Sequence, residues 1–349
     1  MTIAVYGATG YTAKLAVAEL ARQGIETVLV GRDAERLAVA AREAGAEGAE
    51  IRRAGLDDPA VLADAFRGCS VVISCVAPFR RWGEPVLRAA LAAGAHYVDV
   101  SGEQTYIARL FDAYADEAER AGVAVVPGMN DGGLPGSLIA QLTADRIGPV
   151  EEIVVGHRVA EDGGLTRGSA RTFLDNRELF QGGGLAYEDG RWLPAGPLPP
   201  ASMTFPGESE PTEMVRGPLA EVVTVPRHVP LRRLTGLAEA GLMALFNAVT
   251  PEILQTIPEA GPTPEERRIG GFTVLAEALG VDGRRARGAV HGPNTYATTA
   301  LVAAEGARRL AAEGAPAGVL APAQAFDPAG FLDSLAPHGL RWSVEELAR

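Results

Sequence analysis

Residues 3–13 read IAVYGATGYTA. Ile3 to Tyr6 is an apolar run of strand length, and Lys14 to Arg22 continues as an amphipathic helical pattern. Between them Gly7, Ala8, Thr9, Gly10, Tyr11, Thr12 and Ala13 give the spacing G-x-x-G-x-x-A. The spacing alone recurs by chance; its place between a strand and a helix predicts a nucleotide-binding turn. Small residues let the main chain approach a pyrophosphate, and the helix N-terminus supplies N–H donors and the positive end of its dipole. Thr9, Tyr11 and Thr12 add side-chain donors.

The pattern around this turn predicts alternating strands and helices over residues 1–147. Strands are expected at Glu26–Gly31, Glu50–Ala54, Ser70–Val76, His96–Val100 and Val123–Val126. Helices are expected from Asp33 to Ala44, from Asp58-Pro59, from Glu84 to Ala93 and from Gln104 to Ala121. Such alternation predicts an α/β fold with a Rossmann-type, doubly wound parallel sheet. Beyond it the alternation stops. Glu152–Val159 reads as a strand, Arg167–Phe180 as a helix and Leu231–Val249 as an apolar helix. Phe272–Leu279 and Arg284–His291 flank Val281-Asp282-Gly283 as an antiparallel hairpin, and Asn294–Ala312 returns to helix. Gln181–Pro230 is rich in Gly and Pro, with little periodicity. The expected domains are residues 1–147 for the dinucleotide, an α+β substrate and dimerisation domain with an antiparallel sheet over 148–293, and a C-terminal segment over 294–349.

Ligands of parallel sheets bind outside the carboxyl ends of the strands, and this rule sorts the candidate site residues. Gly31 and Arg32 end the second strand, where Arg32 offers a planar cation to a 2′-phosphate. Asp33 follows and suits either a ribose or a helix cap. Asp57 follows the third strand. Val76, Ala77 and Pro78 follow the fourth, in position for ribose and nicotinamide. Ser101, Gly102 and Glu103 follow the fifth, and Asp131 closes the loop after the sixth. Glu103 and Asp131 are the candidate catalytic carboxylates, although Glu103 also suits a helix start. Arg80, Arg81 and Trp82 can hold a substrate carboxylate, or equally form a solvated turn. Arg167 and Arg171 can form an anion site at the start of their helix. His96 begins a strand, at the wrong end for catalysis; His157, His228, His291 and His338 read as surface or core residues. Leu231–Phe246 reads as a core or dimer helix, with a lipid-facing lid as the alternative.

Composition narrows the classes. With 349 residues and 47% hydrophobic residues, the chain can bury a sizeable core. A net charge of −12 argues against a nucleic-acid partner. No apolar run is long enough to span a bilayer, and the first strand begins almost at Met1, which predicts a cytoplasmic protein without a leader. Cys69 and Cys75 suggest neither a zinc site nor a disulfide framework, and no metal is expected. Lys14 is the only lysine, which excludes lysine Schiff-base chemistry elsewhere.

Several strings resemble the saccharopine dehydrogenase-like reductases, a family that includes saccharopine reductases and trans-acting enoyl reductases. They are GATGYTAKL (7–15), VVISCVAPFRRWGEPVLRAALAAGAHYVDVSGE (71–103), LTRGSARTFLD (165–175), NTYATTALVAAEGARRL (294–310) and GVLAPAQAF (318–326). The resemblance implies NADP(H), frequent dimers, an α+β domain inserted after the sixth strand, and a C-terminal segment packed back on the Rossmann domain. It maps Gly7, Thr9, Gly10, Tyr11, Thr12, Arg32, Ala77, Pro78 and the Ser101–Glu103 loop onto cofactor positions. The chain departs from the family at Ala13 and Ala77, where glycine is usual. The expected function is NADPH-dependent reduction of a C=N bond in an imine formed from an amine and a carbonyl compound. The alternatives are C=C reduction of an enoyl intermediate and a non-catalytic NADP-binding adaptor.

Overall fold

In the computed structural model, which describes residues 1–159, 164–196 and 198–348, the opening run forms β1 (Thr2–Tyr6), buried from Ile3 to Tyr6. It lies mid-sheet because both of its faces are apolar. The strands β2 (Glu26–Gly31), β3 (Glu50–Arg53), β4 (Val71–Ser74), β5 (His96–Asp99) and β6 (Ala124–Val126) join it. With the two-residue strand Gly318–Val319 beside β6, the order is β6-β5-β4-β1-β2-β3, and every pairing is parallel. This is the doubly wound order, with its topological switch between β1 and β4.

The crossovers are α1 (Tyr11–Arg22), α2 (Ala34–Glu43), α3 (Pro59–Phe66), α4 (Phe79–Ala93) and α5 (Gln104–Ala121). Asp33 and Asp58 cap α2 and α3, each accepting two main-chain N–H bonds. The helix α4 begins at Phe79, five residues before the expected Glu84, and carries Pro85 inside it. Phe79, Gly83, Val86 and Leu87 bury one helical face, so packing carries the helix upstream of the expected start. Arg80, Arg81 and Trp82 therefore sit in a helical first turn, all exposed.

The chain divides into two compact units. The first comprises Met1–Ser101, Tyr106–Asn130 and Tyr296–Leu320; the second comprises Gly102–Thr105, Asp131–Thr295 and Ala321–Arg349. This differs from the expected boundaries. The helix α6 (Gly133–Ile147) was expected in the first domain, but eleven of its residues are buried and it packs on strands of the second sheet. The segment after 294 is shared: its long helix and short strand join the first unit, while residues 321 onward join the second.

In the second unit the strands are β7 (Val150–Val159), β8 (Leu185–Glu188), β9 (Arg191–Pro194), β10 (Ala201–Met203), β11 (Thr212–Arg216), β12 (Arg233–Glu239), β13 (Phe272–Gly280) and β14 (Arg285–Gly292). The sheet runs β10-β11-β12-β7-β13-β14 and ends on the strand Arg341–Leu347, while β8 pairs with β12 and β9. The β13–β14 hairpin is as expected, and Asp282 in its turn accepts the N–H of Arg284. The sheet is mixed rather than antiparallel, because β12 runs parallel to β7.

Two element expectations are corrected here. Leu231–Val249 is not one helix but β12 followed by a helix at Ala240–Ala248. An apolar run of that length fits both periods, and Gly236, whose added Cβ would lie 2.9 Å from Val222, favours a close-packed strand. The Arg167–Phe180 helix breaks at Asn176 into Arg167–Asp175 and Arg177–Gly182. The aperiodic stretch 181–230 contains β8 to β11, apart from residue 197, which lies outside the described residues.

Gly83 is a packing requirement in the first unit. A Cβ there would lie 2.5 Å from the buried Tyr106 ring, which is held by its own hydrogen bond and cannot give way. Gly83→Ala is expected to lower the unfolding free energy by about 1–3 kcal/mol, read from urea denaturation. A loss near zero would contradict this packing.

Candidate cofactor site and the polar cluster of the second unit

The turn after β1 is shaped by two glycines. Gly7 has φ +77° and donates its N–H to the Val30 carbonyl at 3.1 Å. Gly10 donates to the Gly7 carbonyl at 2.9 Å, and a Cβ at Gly10 would press to 3.2 Å on that oxygen. Gly10 is the N-cap of α1 and supplies no side-chain cap, and no acid lies in the first turn. The first-turn amides have no intrahelical acceptor, so the turn is a main-chain cradle for an anion. Tyr11 packs edge-on against Tyr296, with ring centroids 5.4 Å apart. Lys14 pairs with Glu43 of α2 at 2.8 Å.

At the end of β2 the two neighbouring charges separate. Asp33 uses one carboxylate oxygen to accept from Glu35 N–H at 3.0 Å and Arg36 N–H at 3.1 Å, and so acts as the cap of α2. Arg32 is exposed, and among the described residues no carboxylate pairs with it. Asp57 is exposed nearby. A Cβ on Gly55 would collide with its carboxylate and lie 3.7 Å from the Arg32 stem. Beneath them burial pushes the Tyr6 hydroxyl up to about 12, with Arg32 opposing and Asp57 adding.

The loops after β5 and β6 share a buried acid that sequence reading passed over. Asp99 is fully buried. It accepts Ser101 N–H at 3.0 Å, Gly128 N–H at 3.2 Å and the Tyr106 hydroxyl at 3.1 Å. Tyr97 and Tyr106 share a further bond at 3.1 Å. Burial raises the Asp99 carboxyl above the usual range while these donors oppose the rise. Asn130 adds a bond from its amide to the Ser101 carbonyl at 2.8 Å. After β4, Val76 and Ala77 are half-buried and Pro78 is buried. The Cys75 thiol is pushed up to about 12 by burial and the Asp99 charge, which leaves it inert near neutral pH.

In the second unit Gly102 is exposed, but Glu103 is 3% exposed and accepts from the Asn176 amide at 3.2 Å. Gln104 donates to the Leu219 carbonyl and accepts from Leu185 N–H, which anchors this short segment. Arg167, expected at a substrate anion, is instead engaged by the carbonyls of Ile257 and Gln255 and by Glu259. Arg171 is exposed.

Asp131 is half-buried and lines a cavity of about 10 Å³ with Gly132, His157, Phe272 and Thr273, room for one water. His157 Nε2 lies 2.7 Å from Oε1 of the fully buried Glu221. Burial lowers the imidazole pKa, but Glu221 and Asp131 outweigh it, and the net shift is upward. Gly132 and Gly136 make room, since a side chain at either would strike His157 or Glu221. The glycines of GGLPG at 132–136 mark close packing but do not point to His157 or Glu221.

His96 and His228 are structural. His96 Nδ1 accepts Ala124 N–H at 2.9 Å, at the amino end of β5. His228 lies between Ser137 Oγ at 3.0 Å and Gln141 Oε1 at 2.7 Å. Among the described residues no group of His, Cys, Asp and Glu is arranged to hold a metal, and no helix is long and apolar enough to cross a membrane.

The strand order, the glycine cradle and the switch point define a dinucleotide-binding Rossmann domain. Residues 3–126 match the family model of the saccharopine dehydrogenase NADP-binding domain. This matched domain, about a third of the chain, is of the NADP-binding type, with NADP(H) as its cofactor. It is 31% identical over 146 residues to a lipid droplet localized protein of Caenorhabditis elegans, covering 39% of this chain and 34% of that one. It is 30% identical over 140 residues to a trans-acting enoyl reductase of Mycobacterium tuberculosis, covering 39% and 34%. The matched region thus spans about a third of the length of these curated relatives. Apo saccharopine dehydrogenase (L-Glu forming) of Saccharomyces cerevisiae shares the fold, with TM-score 0.63 at 14% identity over 99% of this chain and 100% of that one.

The site residues fit the cofactor: a main-chain cradle that side chains would fill, and at the end of β2 an exposed guanidinium with no ion-pair partner among the described residues. Arg32→Ala is expected to weaken NADPH binding about tenfold or more while leaving NADH binding nearly unchanged, measured by calorimetry. Equal losses for the two would contradict the role of Arg32.

Burial draws the His228 imidazole down to about 4, from 6.5 for an ordinary histidine. A histidine neutral when folded but protonated when unfolded contributes stability that is complete above the unfolded value. That stability is lost as pH falls from about 6.5 toward 4. His228→Gln should flatten the decline in unfolding free energy across this window, as followed by urea titrations at several pH values. An unaltered slope would contradict the assignment.

Proposed function

We propose that this chain is an NADPH-dependent reductase acting on the C=N bond of an imine formed from an amine and a carbonyl compound. When bound, NADPH supplies the hydride; the chain's own residues bind, orient and exclude water. The cradle at Gly7–Thr12 would hold the diphosphate bridge and the Arg32 guanidinium the 2′-phosphate on the adenine side, with the loops of Val76–Pro78 and Ser101 toward the nicotinamide side. The observation that carries the C=N reading is that Tyr97 and Tyr106, the tyrosines at these loop ends, are both buried in the Asp99 network. Their hydroxyls are therefore withdrawn from proton donation. An iminium arrives already protonated, whereas an enoyl group needs a proton donor after hydride addition.

Arg80, Arg81 and Trp82, exposed on the first turn of α4, are the groups assigned to a substrate carboxylate. Asp131, beside His157, is assigned to proton handling; Glu103, buried on Asn176, is a positioning residue. The reading takes the protein as a cytoplasmic homodimer with a small-molecule substrate, and its net charge of −12 disfavours nucleic acid.

C=C reduction of a lipid or polyketide-type enoyl intermediate is the second reading, favoured by the relative named a trans-acting enoyl reductase. NADPH oxidation against a panel of amine–carbonyl pairs and enoyl thioesters separates the two. Turnover is expected with amine–carbonyl pairs. Turnover with thioesters alone would replace the C=N reading, and none with either class would contradict a reductase.

A further inference from the structure

We infer that Arg53 is a second ligand of the cofactor's 2′-phosphate, acting with Arg32, and hence a determinant of NADP(H) over NAD(H). The inference rests on the NADP(H) assignment and extends it to a residue on another strand. β2 and β3 are parallel, and their register sets Gly31 opposite Arg53. Arg53 therefore closes β3 at the same carboxyl edge from which Arg32 emerges. Its Nε donates to the Arg32 carbonyl at 3.1 Å. That bond fixes the guanidinium beside the Arg32 main chain and leaves its two terminal nitrogens for another acceptor.

The preceding arginine shows the contrast. Arg52 lies on the opposite face of the strand, where its guanidinium is saturated by Glu50 and by the carbonyls of Ala65 and Arg67. Arg53 is exposed, and among the described residues it has no ion-pair partner; the same holds for Arg32. The acid nearest in sequence to Arg32, Asp33, is turned to its helix cap. Two uncancelled guanidinium groups at one strand edge repel each other, and a phosphate dianion bridging them converts that repulsion into charge-assisted hydrogen bonds. A 2′-hydroxyl cannot do so. The arrangement thus selects the phosphorylated ribose.

Calorimetry on the full chain with 2′,5′-ADP and 5′-AMP tests the assignment, since these probes differ only in the 2′-phosphate and need no substrate. Arg53→Ala should weaken 2′,5′-ADP about tenfold or more and leave 5′-AMP unchanged, with Arg53→Lys recovering part of the loss. Retained 5′-AMP binding reports that the variant is folded. Undiminished 2′,5′-ADP affinity in Arg53→Ala, or equal loss of both probes, would overturn the role of Arg53. If the unaltered chain bound both probes equally, the 2′-phosphate assignment itself would fail, independently of any variant.

Discussion

The Asp99 carboxylate is the interaction on which the first unit's ligand edge depends. A buried charge is costly unless it is hydrogen-bonded. Here two main-chain amides and a phenol meet that need, one each from the loops after β5 and β6 and one from α5. The acid therefore ties three chain segments together at the carboxyl edge of the sheet. Tyr106 extends the tie, because its ring also lies on Gly83 and 5.6 Å from Phe79 of α4, the helix that follows β4. The loops after β5 and β6 thus share one buried polar centre that neither can leave without an unsatisfied donor or acceptor, and α4 packs on its Tyr106 ring.

The second unit uses the same principle with different groups. Glycines at the start of α6 admit an imidazole hydrogen-bonded to a fully buried carboxylate. Glu103 with Asn176, and Gln104 with Leu185 and Leu219, likewise bury polar side chains only where partners meet them. Arginines that could have served a ligand are often engaged within the protein, as Arg167 is.

The first unit was largely legible in the sequence because its signals are local. A glycine turn between strand and helix, aspartates that cap α2 and α3, and apolar runs of strand length each act within a few residues. What escaped was set by tertiary contact. Asp99 reads as an ordinary strand residue, and only folding brings Ser101, Gly128 and Tyr106 to it. The helix expected from Glu84 begins at Phe79, because its buried face extends one turn further. In Leu231–Val249 the apolar pattern fits strand and helix alike, and only pairing with β7 decides for β12. His157 and Glu221 lie 64 residues apart, beyond the reach of any motif.

The most direct measurement is a crystal structure of the protein soaked with NADPH. The account predicts the diphosphate against the amides of Gly7 to Thr12, with the 2′-phosphate beside Arg32. A nucleotide bound elsewhere, or one whose 2′-phosphate faces solvent, would contradict it.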